Sequence, residues 1–255
     1  MNKWTWAGAL TLSLLAQPGL AQSQCSNLSK HIVDTDLRFS LTHSQIPGEL
    51  AVSSHKLRVS GKHYKLESVS QAKGFIALLY SGQLTQKSEG VVDRHGGLAP
   101  IYYAEQRGKK PLAETVVDAQ TKTVLFKRNG ESAPAEEGLQ DRLSMIYHLS
   151  SLLRCNGEAN IGDTLDLRVM STGRLGTETF TAKTRDAVTL SLGEGARMVK
   201  TVMYESTPKD ANDEVVRIWF GKDMNWQPVK IQIQDPDGKS LTQTLIGEGK
   251  LPEQS

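Results

Sequence analysis

The chain has 255 residues, of which 30 are basic and 28 acidic, giving a formal net charge of +2. Because these charges nearly balance, the composition does not indicate the basic surface that binds nucleic acid. The six histidines are scattered without the spacing of metal ligands. We therefore expect no nucleic-acid partner, no metal and no cofactor.

The first 21 residues have the features of a cleaved secretory signal. Lys3 gives a positive start, a short and mostly apolar run extends from Ala7 to Ala16, and Gly19-Leu20-Ala21 supplies small residues before the cleavage point. No later apolar run is long enough to span a membrane. We predict a signal peptide over residues 1–21, a single β-rich domain over residues 22–255 and a periplasmic location.

The two cysteines are Cys25 and Cys155. Cys25 invites a lipoprotein interpretation, but Gln22-Ser23-Gln24 lack the apolar and small residues of a lipobox, so we predict no lipid anchor. An even number of cysteines in an exported chain favours pairing. We predict a structural Cys25–Cys155 disulfide rather than a redox-active pair, which usually has two cysteines close in sequence near a helix N-terminus.

Most of the remaining chain alternates apolar and polar residues in short runs separated by turn residues. Leu37, Phe39 and Leu41 form one such run, and Leu50 to Leu57 and Tyr64 to Val69 flank the hairpin tip Ser60-Gly61-Lys62. The pattern predicts an all-β, mainly antiparallel fold. We expect a curled meander that forms an open barrel, half-barrel or β-spiral around one central helix at about residues 140–154.

The helix is predicted from Gln140 to Cys155, and its apolar residues cover more than half of its circumference, which is typical of a buried helix. A narrow polar seam remains at Ser144, His148 and Ser151. We expect Leu149 and Leu153 to lie inside the sheet and His148 to face an opening.

Several short motifs resemble, in order, the bacterial periplasmic domain-of-unknown-function 3108 family, over about residues 34–248. The most specific is Gln140-Asp141-Arg142-Leu143-Ser144 at the helix start. The others are Gly74-Phe75, Tyr80-Ser81-Gly82, Ser88-x-Gly90, Gly97-Leu98-Ala99-Pro100-x-x-Tyr103 with Arg107, Trp219-Phe220, Trp226-x-Pro228-Val229 and Asp235-x-Asp237-Gly238. The resemblance implies an antiparallel β fold around a helix and an envelope location, and it implies no established reaction.

Two places at the helix start are candidates for chemistry. Ser144 and His148 lie one helical turn apart, so a nucleophile–base pair oriented by Asp141 is one interpretation. The other is that the seam satisfies backbone groups and that Asp141 caps the first amides. Arg142 falls on the apolar arc and is either a member of an interior ion pair or part of a site for an anionic headgroup.

Trp219 and Trp226 flank a turn at Gly221-Lys222-Asp223 and are explained by core packing or, with His148, by the mouth of a cavity. No catalytic motif is present, so we expect a non-enzymatic protein that supports the cell envelope by binding a lipid or another hydrophobic component. The alternatives are a serine-type hydrolase using Ser144 and His148, and a scaffold that binds an envelope protein through an edge strand.

Overall fold

A computed structural model describes residues 28–74, 77, 82–93, 97–193 and 195–249. A sheet of fifteen strands dominates this part of the chain. The strands are β1 Thr35–His43, β2 Ile46–Ser60, β3 His63–Ala72, β4 Gln83–Val92, β5 Leu98–Arg107, β6 Ala113–Asp118, β7 Thr123–Phe126, β8 Glu131–Pro134, β9 Gln140–Asp141, β10 Thr164–Met170, β11 Leu175–Leu192, β12 Gly195–Thr207, β13 Val215–Gly221, β14 Gln227–Gln234 and β15 Ser240–Glu248.

The sheet consists of two arms that meet at its middle. Its order is β8-β7-β6-β5-β4-β3-β2-β1-β15-β14-β13-β12-β11-β10-β9, so β1–β8 form an N-terminal arm and β9–β15 a C-terminal arm. The arms join where β1 pairs with β15, with Leu37 opposite Glu248. The only parallel pair in the described sheet is β9–β10, where Gln140 lies opposite Val169.

The alternation of the sequence produces the strands in the expected way. In β1 the side chains of Leu37, Phe39 and Leu41 are buried while those between them are partly exposed. The β2–β3 hairpin turns at Gly61, whose φ of 60° is accessible to glycine at no steric cost.

The sheet curls without closing into a barrel. The end strand β9 does not pair with the other end strand, β8; the side-chain amide of Gln140 in β9 instead donates a 2.5 Å hydrogen bond to the carbonyl of Leu98 in β5. The hydroxyl of Thr115 in β6 likewise donates to the carbonyl of Ser171, just after β10. The two arms are therefore linked through side chains, and the predicted open, curled meander around a helix is confirmed.

The helix α1 extends over Ser144–Asn156, four residues later than its predicted start. Gln140 and Asp141 are not helical because they pair with β10, a partner that lies downstream of the helix in the sequence. Leu149 and Leu153 are 2% and 3% exposed and belong to the main core, together with buried side chains of both arms. The helix therefore fills the interior of the curled sheet, as expected.

A second apolar cluster lies beside the main core. It joins Leu190 of β11 and Val199 of β12 to Phe39 of β1 and Leu245 of β15. The strands β11 and β12 are unusually long. Their paired ends near the connecting turn extend past the part of the sheet that covers the helix, and this explains the contact.

The predicted signal peptide and Cys25 lie outside the described residues. Cys155 lies within α1, and no free cysteine occurs in the part of the chain that the structure describes. The Cys25–Cys155 disulfide therefore stays a prediction. No helix in the described ranges has the length and apolar character needed to cross a membrane.

Candidate functional site

A cavity of about 500 Å³ lies inside the curled sheet, against the first turn of α1. It is found where β3, β5, β12 and β14 end and β4, β13 and β15 begin. Its outermost lining residues, Thr207, Pro208 and Lys209, are exposed, so the cavity opens to solvent. Its size falls in the range of roughly 300–1,000 Å³ that is usual for small-molecule sites.

One part of the lining is aliphatic. Leu143, Met145 and Ile146 contribute the surface at the start of α1, and all three are at most 7% exposed. The C-terminal arm adds further aliphatic side chains, which are Val169, Leu175, Val216, Ile231, Ile233 and Leu241. Such a surface favours the hydrocarbon part of a ligand.

The N-terminal arm contributes a row of polar side chains to the same cavity. Glu105 lies opposite Gln86, Gln86 opposite Ser68, and Ser68 opposite His55, across the neighbouring strands β5, β4, β3 and β2. All four residues line the cavity. We call them the polar row.

His55 is the most enclosed member of the polar row. It is 2% exposed, its Nδ1 lies 3.0 Å from the hydroxyl of Tyr147 in α1, and its ring packs on Phe39 with centroids 4.8 Å apart. Burial lowers the pKa of His55 to about 4, although a hydrogen bond with Gln243 opposes this shift. The imidazole is therefore neutral at pH 7 and offers hydrogen bonding without charge.

The mouth of the cavity carries charge of both signs. Its lining has five basic and five acidic side chains. Arg107 donates a 2.6 Å hydrogen bond to Glu105, and Arg142 lies 3.6 Å from Glu214. Arg142 thus belongs to an ion pair before the helix begins, but the pair is half-exposed at the cavity mouth and not interior as one of the two interpretations had it.

Asp141 links the start of α1 to the opposite arm. Its carboxylate accepts hydrogen bonds from the backbone amides of Leu143 and Ser144 and from the hydroxyl of Ser88 in β4. The Ser88 oxygen is also 2.9 Å from the hydroxyl of Tyr64. Burial raises the pKa of Asp141 to about 6, and these hydrogen bonds limit the rise. We call Gln140, Asp141 and Ser88 the clasp.

Ser144 and His148 are not arranged as a nucleophile and its base. Ser144 is fully buried, and its hydroxyl accepts a 2.8 Å hydrogen bond from the backbone amide of Asp141. The Nδ1 of His148 is buried and has no hydrogen-bond partner among the described residues, and the ring lies near Gly97. Burial lowers the pKa of His148 to about 4, with Asp93 opposing the shift. His148 is partly exposed although its Nδ1 is buried, and it does not line the cavity, so its placement at an opening stays a prediction.

The aromatic residues proposed for a cavity mouth lie elsewhere. Trp219 is 8% exposed in the second cluster, with the Lys230 ammonium 4.4 Å from its ring centroid. Trp226 packs against the main core, and its carbonyl accepts a 2.6 Å hydrogen bond from Ser150 of α1. Neither tryptophan lines the cavity, and nor does His148. Of the two interpretations offered for the tryptophans, the structure supports core packing.

The two end strands of the sheet are short. The edge strand β8 has four residues and ends at Pro134, and β9 has two residues that are both buried. Short edges and a proline are common protections against unwanted pairing. The described residues contain no group of three or more side chains that could hold a metal ion.

Reasoning from sequence missed the polar row. Its members stand on four strands and form no motif, and only the strand register aligns them. A weak signal was present in β3, where Ser68 follows Tyr64 and Leu66 on the buried face. A polar residue that continues an apolar face is an unusual feature in a strand, because burial of an unpaired hydroxyl is unfavourable.

Comparison with known proteins identifies a family and two distant structural likenesses. The sequence model of the family described as "Protein of unknown function (DUF3108)" matches residues 40–246. No curated protein shows a significant match. A crystal structure of a β-barrel-like protein of domain of unknown function DUF1849 from Brucella abortus is similar, with a TM-score of 0.49, 10% identity and coverage of 85% of this chain and 97% of that chain. A candidate lipoprotein from Parabacteroides distasonis gives a TM-score of 0.31, 8% identity and coverage of 88% and 99%.

Proposed function

The chain belongs to the DUF3108 family of unknown function, and we propose that it is a non-enzymatic periplasmic protein that holds a lipid or another hydrophobic envelope component in its cavity. The observation that carries this proposal is the cavity of about 500 Å³ with an aliphatic surface against α1. An amphipathic ligand would place its hydrocarbon on this surface and its polar end against the polar side chains of the same cavity.

Burial of hydrocarbon supplies the affinity in this proposal. Each methylene group removed from water contributes about 0.8 kcal/mol. A chain of several methylene groups therefore offsets the cost of association, provided that the cavity is present before binding. The buried positions of Leu143 and Met145, held in place by the first turn of α1, support a preformed surface.

A blocked-cavity variant tests the proposal. Ile233 lines the cavity, so Ile233→Trp should fill part of it and weaken the binding of an uncharged fluorescent probe such as N-phenyl-1-naphthylamine at least ~10-fold. Ile101→Trp is the matched control, because Ile101 is 42% exposed and does not line the cavity. Equal binding by the wild type and both variants would mean that the probe binds outside the cavity. Circular dichroism and melting curves establish that both variants fold.

The ligand itself is sought by native mass spectrometry and by solvent extraction of the purified protein. A co-purified acyl compound that is lost from Ile233→Trp and kept by Ile101→Trp is the expected result. The proposed location is tested by the intact mass of the exported protein, which should correspond to cleavage after Ala21. A diacylglyceryl group on Cys25 would contradict free release into the periplasm.

A further inference from the structure

The polar row gives the cavity a chemistry that a bare hydrocarbon does not need. Ser68 is 4% exposed and lines the cavity, and its hydroxyl makes no hydrogen bond within the described part of the chain. Gln86 uses its side-chain nitrogen for Tyr103 and Glu105. The row therefore presents unused hydrogen-bonding capacity to the contents of the cavity, and buried polar groups of this kind usually have partners.

The same part of the site is poorly suited to an anion. Glu105 belongs to the polar row, and burial raises the pKa of Glu178 in the opposite part of the lining. The lining arginines are each next to a carboxylate: Arg107 by Glu105, Arg142 by Glu214, and Arg174 at 3.6 Å from Asp213. The amide groups at the start of α1 are occupied by Asp141. Lys239 is paired with Asp237, and Lys209, the remaining lining cation, is exposed at the mouth. A ligand carboxylate placed beside the polar row would therefore find no unpaired positive charge there, and burial of an unpaired charge is costly.

We infer that the ligand is an uncharged acyl compound, in which ester, amide or hydroxyl groups directly follow the hydrocarbon chain. The hydrocarbon lies against Leu143, Met145 and Ile146, while the uncharged polar groups form hydrogen bonds with Ser68 and Gln86 of the polar row. This inference rests on the proposed function and narrows it, because it selects acylated glycerols or amides over free fatty acids.

Two ligands of the same chain length test the inference directly. A monoacylglycerol should bind at least ~10-fold more tightly than the fatty acid at pH 7, measured by displacement of N-phenyl-1-naphthylamine or by calorimetry. Both compounds contain the same hydrocarbon, so the difference reports the polar end alone. A monoacyl amide of that length should resemble the monoacylglycerol.

Two serine variants on neighbouring strands assign the preference to the polar row. Ser68→Ala should weaken monoacylglycerol binding roughly 3- to 10-fold and leave fatty-acid binding unchanged. The matched control is Ser54→Ala in β2, because Ser54 does not line the cavity and lies one position before His55, on the other face of the strand. The control should bind both compounds as the wild type does.

The outcomes separate the inference from the proposed function. Equal or tighter binding of the fatty acid, sensitive to Ile233→Trp, would overturn the inference and leave the cavity as a hydrophobic site. A preference for the monoacylglycerol that Ser68→Ala does not reduce would overturn the role of the polar row. Absence of binding by either compound, together with an absence of probe binding, would overturn the proposed function as well.

Discussion

The hydroxyl of Ser88 donates a 2.5 Å hydrogen bond to the carboxylate of Asp141, and this contact joins the two arms of the sheet. Ser88 lies in β4 of the N-terminal arm, whereas Asp141 lies in β9, at the far end of the C-terminal arm. Because Ser88 gives its hydrogen to the carboxylate, the hydroxyl of Tyr64 must be the donor in the Tyr64–Ser88 contact. A directed chain of buried hydrogen bonds therefore runs from Tyr64 through Ser88 to Asp141 and joins the two arms.

Asp141→Ala should be strongly destabilising. It leaves the amides of Leu143 and Ser144 and the hydroxyl of Ser88 without their acceptor, and each unsatisfied buried donor costs about 1–3 kcal/mol. We expect a loss of at least ~3 kcal/mol in the free energy of unfolding, measured by urea denaturation. Asp166→Ala, at an exposed carboxylate in β10, is the control and should change stability by no more than about 0.5 kcal/mol. Equal effects would mean that the clasp does not hold the arms together.

Two histidines with lowered pKa values should make the fold sensitive to acid. The pKa of His55 is lowered from 6.5 to about 4, and that of His148 likewise. Between pH 6.5 and about 4 the histidines are protonated in the unfolded chain but neutral in the folded chain. Their contribution to the free energy of unfolding is therefore complete above pH 6.5 and is lost as the pH falls towards 4. Each histidine contributes roughly 3 kcal/mol to this loss.

Asp141 acts in the opposite direction in the same pH window. Its pKa is raised from 3.8 to about 6, so its favourable contribution is present below pH 3.8 and is lost as the pH rises through 6. The histidines outnumber it, and net stability should fall on acidification. Urea midpoints between pH 7.5 and 4.5 measure the slope, which should be flatter in His55→Gln and steeper in Asp141→Asn. A slope that neither substitution changes would contradict these assignments.

Gly90→Ala should disrupt the β4–β5 pair. A β-carbon at this position would lie 2.2 Å from the carbonyl oxygen of Ala99 and 2.7 Å from the α-carbon of Pro100. Both are backbone atoms at a register shift in the β4–β5 pair, so moving them aside would disturb the strand pairing. We expect a loss of about 3 kcal/mol by urea denaturation. Gly176→Ala in β11 is the control, since a β-carbon there meets no atom within 4 Å, and it should be nearly neutral.

The predicted Cys25–Cys155 disulfide is tested by alkylation. Denatured, unreduced protein should gain no alkyl group by mass spectrometry, and reduction should make two thiols reactive. A bridge that closes a loop of this length contributes about 4–5 kcal/mol in the chain-entropy model, so the reduced protein should melt at a lower temperature. Alkylation of both cysteines before reduction would show that the bridge is absent.

The sequence was most informative where structure depends on near neighbours. The alternation of Leu37, Phe39 and Leu41 predicted β1, and the wide apolar arc of the helix predicted the burial of Leu149 and Leu153. The start of α1 was misplaced because Gln140 and Asp141 pair with β10, and such long-range pairing has no local signal. The surroundings of His148 have no local signal either, because they include Gly97 from the opposite arm.

The candidate site was the least predictable part. The polar row arises when its four members are brought into register across four strands, and a shift of one residue in any strand would turn a side chain to the other face. The Gln-Asp-Arg-Leu-Ser motif was recognised by resemblance, but its roles as clasp and mouth ion pair depend on partners in β4, β5 and the loop before β13.

The pairing of β1 with β15 determines the order in which the chain can assemble. Within each arm, most neighbouring strands are consecutive in sequence, so hairpins can form from local contacts. The pairing of β1 with β15, in which Leu37 lies opposite Glu248, instead closes a loop of more than 200 residues. One edge of β1 consequently stays without its partner until β15 pairs with it. Until then the apolar side chains of β1, among them Phe39 and Leu41, lack part of the cluster that buries them, and an unpaired edge of this kind favours misassociation.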